Sequence, residues 1–463
     1  MINVNGNLKI TFIILMMLLL YFPLIINDIP FRDDLSREYW GFVGLTNLGR
    51  PSADIIYKIL GFGFEGVNLS PLPKLISLIL LCISSIILYV KLFDTKGWIG
   101  AVTCALVFAN PFSLQNFAYQ YDSMPMALAV FLATASVAFT LKNRLLSFAL
   151  TTICLFLSLT LYQSSIIIAA CIYCCIIIKD ILHDITLRVI LKRSALILLS
   201  AMVSCASYYL LVVAKSEAIS SRGSIGSLDE IKRNIIFLHD KFSDLYHGLG
   251  WLFIAITLLV VFSLISTFIK VSRAKSVFIL IIILLSYVLC LFPSVLLKEG
   301  FAGPRVLMSF GVFMMIIAII INNRFTSPIY CIPMAILLVH SIVISYAFSG
   351  NLQSQQERYR TISSLVINKT QSEEFVNYKR IYILCSSTPS QKEEIFKSFN
   401  SFIDWLNPEA PWAIRFFIRN SGEKRIVHDW SNCGSLPTDG IKDSENSFYR
   451  VVKKDKDLYF IMK

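Results

Sequence analysis

Of 463 residues, 56% are hydrophobic and only 16% are charged, and the mean hydropathy is +0.67. A soluble globular chain carries about 25% charged residues, so this composition excludes one and points to a protein integral to a membrane. The net charge of +12 does not indicate nucleic acid. No basic run is interleaved with aromatics, and much of the excess gathers in short loops, where anionic lipid headgroups attract it.

In chain order, apolar stretches of the length that crosses a bilayer, about 20 helical residues, run 8–26, 72–92, 98–112, 124–141, 145–161, 164–179, 190–213, 249–269, 277–297, 305–321 and 328–348. They predict a polytopic α-helical membrane protein of about eleven transmembrane helices. The first lacks a small-residue cleavage site and reads as a retained anchor rather than a removed signal peptide. With the N-terminus inside, the inside segments hold thirteen Lys and Arg against three acids, in short loops; the alternate segments hold twelve against thirteen, in longer ones. Density of positive charge therefore favours N-inside, placing loop 27–71 and the chain beyond about 350 outside.

Loop 27–71 is long enough to expect function from it. It opens with Asp33-Asp34 flanked by Arg32 and Arg37. Adjacent acids repel unless their charge holds a proton, a metal or a cation; the plainer account is a solvated, charge-balanced loop. Residues 39–43 and 55–60 read as short interfacial helices, interrupted by Gly and Pro, and Asp229 to Leu245 has the same helical spacing. Nine of the eleven cysteines lie in apolar spans and read as small core residues. Cys171, Cys174 and Cys175 have no His nearby to complete a metal site, and the five His share no ligand spacing.

From about 350 the charge rises. Residues 380–385 read as a buried strand, 448–452 and 458–462 as a hairpin, and 393–406 as an amphipathic helix. The expected division is a membrane domain, 1–349, carrying the chemistry, and a small soluble α/β domain, 350–463, without a catalytic motif. Cys385 and Cys433 are the one cysteine pair in that tail, and outside the cytoplasm a disulfide between them is permitted.

Most unusual polar residues stand beside span ends on the outer face: Arg50, then Tyr119, Tyr121 and Asp122, then Tyr162 and Gln163, then Lys298 and Arg305. Each has an ordinary account. Asp122 suits a helix cap, the tyrosines suit interfacial aromatics, and Arg305 suits a headgroup anchor. Together they suit glycosyl transfer from a lipid-phosphate sugar. Arg binds phosphate through a two-bond fork, and a carboxylate takes the acceptor hydroxyl's proton. One base opposite the leaving phosphate gives inversion at the anomeric carbon. A flippase or secondary transporter is the alternative, but it calls for ionisable residues and broken helices near mid-membrane, whereas these spans are nearly free of charge. A polymerase or ligase centres on a later large loop.

The run Arg32-Asp33-Asp34-Leu35-Ser36-Arg37, then Gly49-Arg50-Pro51, Tyr121-Asp122-Ser123, Tyr162-Gln163 and Pro304-Arg305-Val306, resembles the serotype-converting O-antigen glucosyltransferases of Gram-negative bacteria and their phages. The resemblance covers roughly 8–350; Ser36 stands where Gly is expected. It implies a fold like the glycosyltransferase C superfamily in the bacterial inner membrane, with its active site facing the periplasm. The implied donor is undecaprenyl-phosphate-glucose, supplied by an upstream donor-synthesising glycosyltransferase and a flippase. The implied acceptor is the O-antigen polysaccharide of lipopolysaccharide, with lipid A or protein as alternatives. It assigns Asp33 or Asp34 as general base, with Arg50, Asp122, Tyr162, Gln163 and Arg305 near donor or acceptor; Arg32, Arg37, Tyr121 and Lys298 are further substrate-binding candidates. A divalent cation, magnesium or manganese, is open at the acid pair, since some members of the wider superfamily use one and others do not.

Overall fold

The computed structural model describes residues 4–64, 66–94, 97–138, 143–215, 224–298, 303–325, 327–384, 388–427 and 441–462. Cys385, Cys433, His428, the loop 299–302, the end of the expected 124–141 span and the loop charges Glu65, Lys96, Lys142, Glu217 and Arg222 lie outside them.

The helices are α1 (Val4–Asn27), α2 (Asp33–Trp40), α3 (Pro51–Leu60), α4 (Leu72–Phe93), α5 (Trp98–Phe108), α6 (Pro111–Ala118), α7 (Ser123–Ala138), α8 (Arg144–Leu161), α9 (Ser165–Leu182), α10 (Leu187–Leu211), α11 (Leu228–Leu245), α12 (Gly250–Lys270), α13 (Arg273–Leu296), α14 (Ser309–Arg324), α15 (Ile332–Thr370), α16 (Gln391–Phe399), α17 (Phe402–Leu406) and α18 (Ala413–Asn420). Four strands follow β1 (Arg380–Leu384), β2 (Ile441–Glu445), β3 (Tyr449–Lys454) and β4 (Asp457–Met462). The chain forms two compact units: Met1–Asp28 with Val43–Tyr346, and Ile29–Phe42 with Ala347–Lys463.

The first unit is the membrane protein. Among the described residues, nine helices are long and apolar enough to cross a bilayer, and ten if the bent pair α5–α6 is one span. The expectation of about eleven departs from this at two places. The stretch 98–112 is broken, and Ser123–Val137 is an apolar helix shorter than a full crossing. The break has a local cause. Pro111 disfavours the helical region for its predecessor, and Asn110 is extended, at φ −126° and ψ 159°. Its side-chain oxygen then caps α6 by accepting from the Phe112 N–H at 3.0 Å. The freed Phe108 carbonyl accepts from the Tyr21 and Ser113 hydroxyls, each at 2.6 Å. Irregular backbone at membrane depth survives where protein buries and satisfies it.

Helix α14 is the core of this bundle, packed on α5 and α9. Gly311 makes that approach feasible, because a Cβ there would stand 2.2 Å from the Val107 carbonyl oxygen. Around it α10, α12 and α13 present Leu198, Leu210, Leu258, Phe262 and Leu284 outward, as lipid-facing helices do. At one end, ion pairs of Lys179 with Asp94 (2.9 Å), Arg193 with Asp180 (2.6 Å) and Lys275 with Asp184 (3.1 Å) join segments that charge density assigns to the inside.

In the second unit the sheet runs β1-β4-β3-β2, with β1 parallel to β4 and the others antiparallel. Its core joins Ile381, Ile383, Val451, Leu458 and Phe460 of the sheet to Tyr359, Ile362 and Val366 of α15 and Ile414 and Phe416 of α18. Leu35 of α2 is part of the same core, with Tyr39 packed against it. Residues 29–42, read above as the start of the membrane domain's first loop, thus fold with the tail.

Two further expectations change here. The last span does not stop near 348: α15 continues for 39 residues to Thr370. Gly350 is a contact point rather than a helix stop, since a Cβ would meet the Phe396 ring at 2.6 Å. The helix read over 393–406 is two, α16 and α17, because Asn400 turns extended and its side chain accepts from the Phe402 N–H at 3.0 Å.

Candidate functional site

Within the membrane unit, residues from four distant stretches meet at one end of the bundle. Arg50 precedes Pro51, which starts α3 at the position where a missing N–H costs nothing. Asp54 fixes the turn before it by accepting from the Leu45 N–H at 2.9 Å and the Thr46 N–H at 2.5 Å. Arg50 so placed pairs with Asp122 at 3.7 Å, donates to Gln163 Oε1 at 3.4 Å and lies over the Tyr162 ring at 5.0 Å. Gln163 Nε2 is anchored by the Leu48 and Gly49 carbonyls, at 3.0 and 3.2 Å, and by the Tyr208 hydroxyl at 2.9 Å.

Arg305 enters on the short 3-10 turn Pro304–Leu307. It donates to the Tyr119 hydroxyl at 2.6 Å and lies over that ring at 5.3 Å. Its carbonyl accepts from the Tyr162 hydroxyl at 3.2 Å and from Asn116 Nδ2 at 3.4 Å. Tyr162 thereby links the two arginines. Tyr121 is a buttress: its hydroxyl donates to the Gly66 carbonyl at 3.1 Å, and its own carbonyl accepts from Tyr57. Among the described residues this group brings together two guanidiniums and the Asp122 carboxylate, and both arginines are half-buried. Such a group favours an anion that offers several oxygens, and phosphate suits the guanidinium fork.

Lys298 lies apart from this group. It is exposed, and its backbone N–H donates to the Ser224 carbonyl at 2.9 Å, beside the start of α11. The acid pair and its arginines belong to the second unit. Asp34 is fully buried, accepts from the Phe31 N–H at 2.9 Å and faces Arg37 at 3.8 Å. Asp33 is exposed, and among the described residues its carboxylate makes no hydrogen bond or ion pair. Arg32 takes a left-handed backbone, φ 50°, at the start of α2.

A divalent cation needs several oxygen donors. Among the described residues no three His, Cys, Asp or Glu side chains gather to hold one, and Asp34 is already engaged. Among the described residues the donors at Asp33 and Asp34 are too few to hold such an ion, and no step below is routed through one.

Several members of the polar group escaped the sequence reading. Tyr208 sits inside a long apolar helix, where one polar residue carries little signal, and Asn116 lies in the short helix α6, beyond the 98–112 stretch read as a span. Lys74 and Asp28 form a pair at 2.9 Å, with Lys74 only 1% exposed, and Gln120 Nε2 donates to the Asp28 carbonyl at 2.8 Å. A lysine in the first turn of a span, facing an acid at the end of the preceding one, was the available signal.

The fold and this site define a polytopic helical membrane protein with an arginine-lined polar group at one end of its bundle. Residues 22–316 match the family described as glucosyl transferase GtrII, and the chain belongs to that family. All the motifs quoted above lie within the matched residues. The chain is also similar to a protein of Salmonella phage P22 described as an uncharacterized 55.3 kDa protein in the gtrB 5′ region, 28% identical over 193 residues. That alignment takes in 42% of this chain and 40% of the phage protein's length. No solved structure matches the chain.

Proposed function

We propose that the protein is an inverting glucosyltransferase acting at the periplasmic face of the bacterial inner membrane. It moves glucose from undecaprenyl-phosphate-glucose to a sugar of the O-antigen of lipopolysaccharide. The observation that carries this reading is the linked Arg50–Tyr162–Arg305 group, which lies inside the region matching a glucosyltransferase family.

The Asp33 carboxylate takes the proton of an acceptor hydroxyl as that oxygen bonds to C1 of glucose. The bond from C1 to the phosphate oxygen breaks, and its electron pair leaves on undecaprenyl phosphate. Arg50 and Arg305 hold that phosphate and stabilise the charge it gains on leaving. Attack opposite the leaving group inverts the anomeric carbon. Asp34 is a positioning residue: buried and bonded to the Phe31 N–H, it fixes the turn that presents Asp33.

The test is mass spectrometry of O-antigen repeats from cells with and without the protein. A gain of one hexose per repeat is expected, absent with Asp33→Asn although the variant still inserts in the membrane. Transfer with Asp34→Asn is reduced but measurable. An unchanged glycan in the presence of the wild-type protein overturns the reading, and full activity of Asp33→Asn removes its base.

A further inference from the structure

A cavity of about 580 Å³ lies between α4, α9 and α10, at the end of the bundle that charge density assigns to the inside. Its volume is within the range for ligand sites. Helix α9 begins beside Gln163 and runs 18 residues, about 27 Å, toward the cavity. The cavity therefore stands far from the arginine group, and the transfer chemistry above leaves it unused.

Three helices build its polar wall. Lys91 comes from the last turn of α4, Lys179 from the last turn of α9 and Arg193 from α10, with the carboxylates of Asp94 and Asp180 among them. Lys179 Nζ locks the wall by donating to the Lys91 carbonyl at 2.8 Å and to Asp94 at 2.9 Å. Arg193 Nη1 donates to Asp180 at 2.6 Å, and among the described residues its Nε and Nη2 make no hydrogen bond. Those two nitrogens are the edge with which Arg358 grips both oxygens of Glu393. A half-buried guanidinium, held through its third nitrogen, thus presents an open fork. The apolar wall includes Ile86, Val90 and Ile176. Val90 continues a stripe of exposed apolar side chains, Leu72, Leu75, Ile79 and Ile83, along one face of α4.

We infer that this cavity binds the headgroup of phosphatidylglycerol, an anionic phospholipid of the bilayer. The Arg193 fork takes two phosphate oxygens, and the Lys91 ammonium adds a second cation. The headgroup's glycerol hydroxyls donate to the Asp94 carboxylate, and an acyl chain lies along the α4 stripe. Among the described lining residues three cations meet two carboxylates, so a headgroup with one net negative charge balances the wall and a zwitterionic one does not. Free phosphate would leave the apolar wall uncovered. Basic pockets between spans recognise anionic lipid headgroups in this way. The site does not depend on the transferase reading.

The experiment is native mass spectrometry of the full-length protein in detergent, with phosphatidylglycerol, phosphatidylethanolamine or phosphatidylcholine added at equal concentration. One phosphatidylglycerol is expected to stay bound, about tenfold more tightly than either zwitterionic lipid. Lys91→Met lowers that affinity about tenfold. Asp180→Asn combined with Arg193→Gln has an effect of the same size, and it removes acid and cation together, so no charge is stranded. Lys275→Met, at an inside ion pair outside the cavity, leaves the affinity unchanged. Equal binding of the three lipids, or unchanged binding in either cavity variant, overturns the inference. An equal loss with Lys275→Met does so too, because the effect is then one of general surface charge. Displacement of the lipid by glycerol 1-phosphate at matched concentration would make the cavity a free-phosphate site, and displacement by undecaprenyl phosphate a polyprenyl-phosphate site; either result removes the phospholipid.

Discussion

In the tail unit, Arg358 grips Glu393 through two nitrogens at 2.8 and 2.9 Å and reaches Glu409 at 2.8 Å. Lys397 completes that group by pairing with Glu409 at 3.3 Å. In the membrane unit, Arg50 meets Asp122 only at 3.7 Å and rests on an aromatic face, while Arg305 is held by a neutral hydroxyl. The tail network holds its two cations with three acids, Glu393, Glu409 and Asp404, the last 2.8 Å from Lys397, in short bonds. Among the described residues, the membrane network brings Arg50 to Asp122 at longer range and lays each arginine over a tyrosine ring. Short, multiply bonded ion pairs secure a fold. Guanidiniums resting on aromatic rings, with their carboxylate at longer range, are poised for a charged ligand.

The sharpest way to break this contrast is to remove one arginine from each network. Arg358→Ala leaves Glu393, fully buried, without its cation, a loss of about 3–5 kcal/mol. Thermal unfolding of the full-length protein, followed by the fluorescence of Trp40, Trp405, Trp412 and Trp430 with Trp98 and Trp251 replaced by Phe, shows it as early melting of the tail. Arg50→Ala lowers glucosyl transfer about 100-fold and leaves unfolding nearly unchanged. If Arg50→Ala instead melts the membrane unit, the two networks do not differ as argued.

The sequence made visible those features that depend on local pattern. Helix α11 follows from its apolar spacing and carries a capping box between Ser227 and Glu230. The β3–β4 hairpin follows from two β-rich runs around a charged turn. Strand β2 did not show, because Ile441-Lys-Asp-Ser-Glu445 is a polar edge strand whose pairing, not its composition, makes it β. The site divides in the same way. Arg50, Asp122, Tyr162, Gln163 and Arg305 stood out because charge and amides at span ends are unusual. The difference between Asp33 and Asp34 is one of burial, and no sequence spacing encodes it.

Within the membrane unit, packing has its own point of failure. Gly311→Ala drives a methyl group to within 2.2 Å of the Val107 carbonyl oxygen, and overpacking of this kind costs about 1–3 kcal/mol. The yield of folded protein in detergent falls, while transfer per folded molecule is retained.

A smaller change tests the tail by pH. Arg425 bonds both oxygens of Glu423, at 2.9 and 2.6 Å, and holds its carboxyl below the ordinary value of 4.5. A depressed folded-state value means that this stabilisation is complete above about pH 4.5 and is lost as pH falls through the folded-state value. Glu423→Gln lowers tail stability by about 1.5 kcal/mol at pH 7. It also flattens the acid limb of the unfolding-temperature profile, and transfer at pH 7 is unaffected. An unaltered acid limb removes the pair from the tail's account.

The smallest effect is expected at Tyr119, whose hydroxyl accepts from Arg305 at 2.6 Å. Tyr119→Phe keeps the ring under the guanidinium and removes only the oxygen, at a cost of about 1 kcal/mol. Arg305 sits in the open network, so that loss falls on ligand binding: the donor KM rises about fivefold, with acceptor KM and unfolding temperature unchanged. Glu423→Gln has the opposite signature, moving stability and not transfer. A Tyr119→Phe protein that melts earlier yet turns over normally would reverse the contrast, making the Arg305 contact a brace for the bundle.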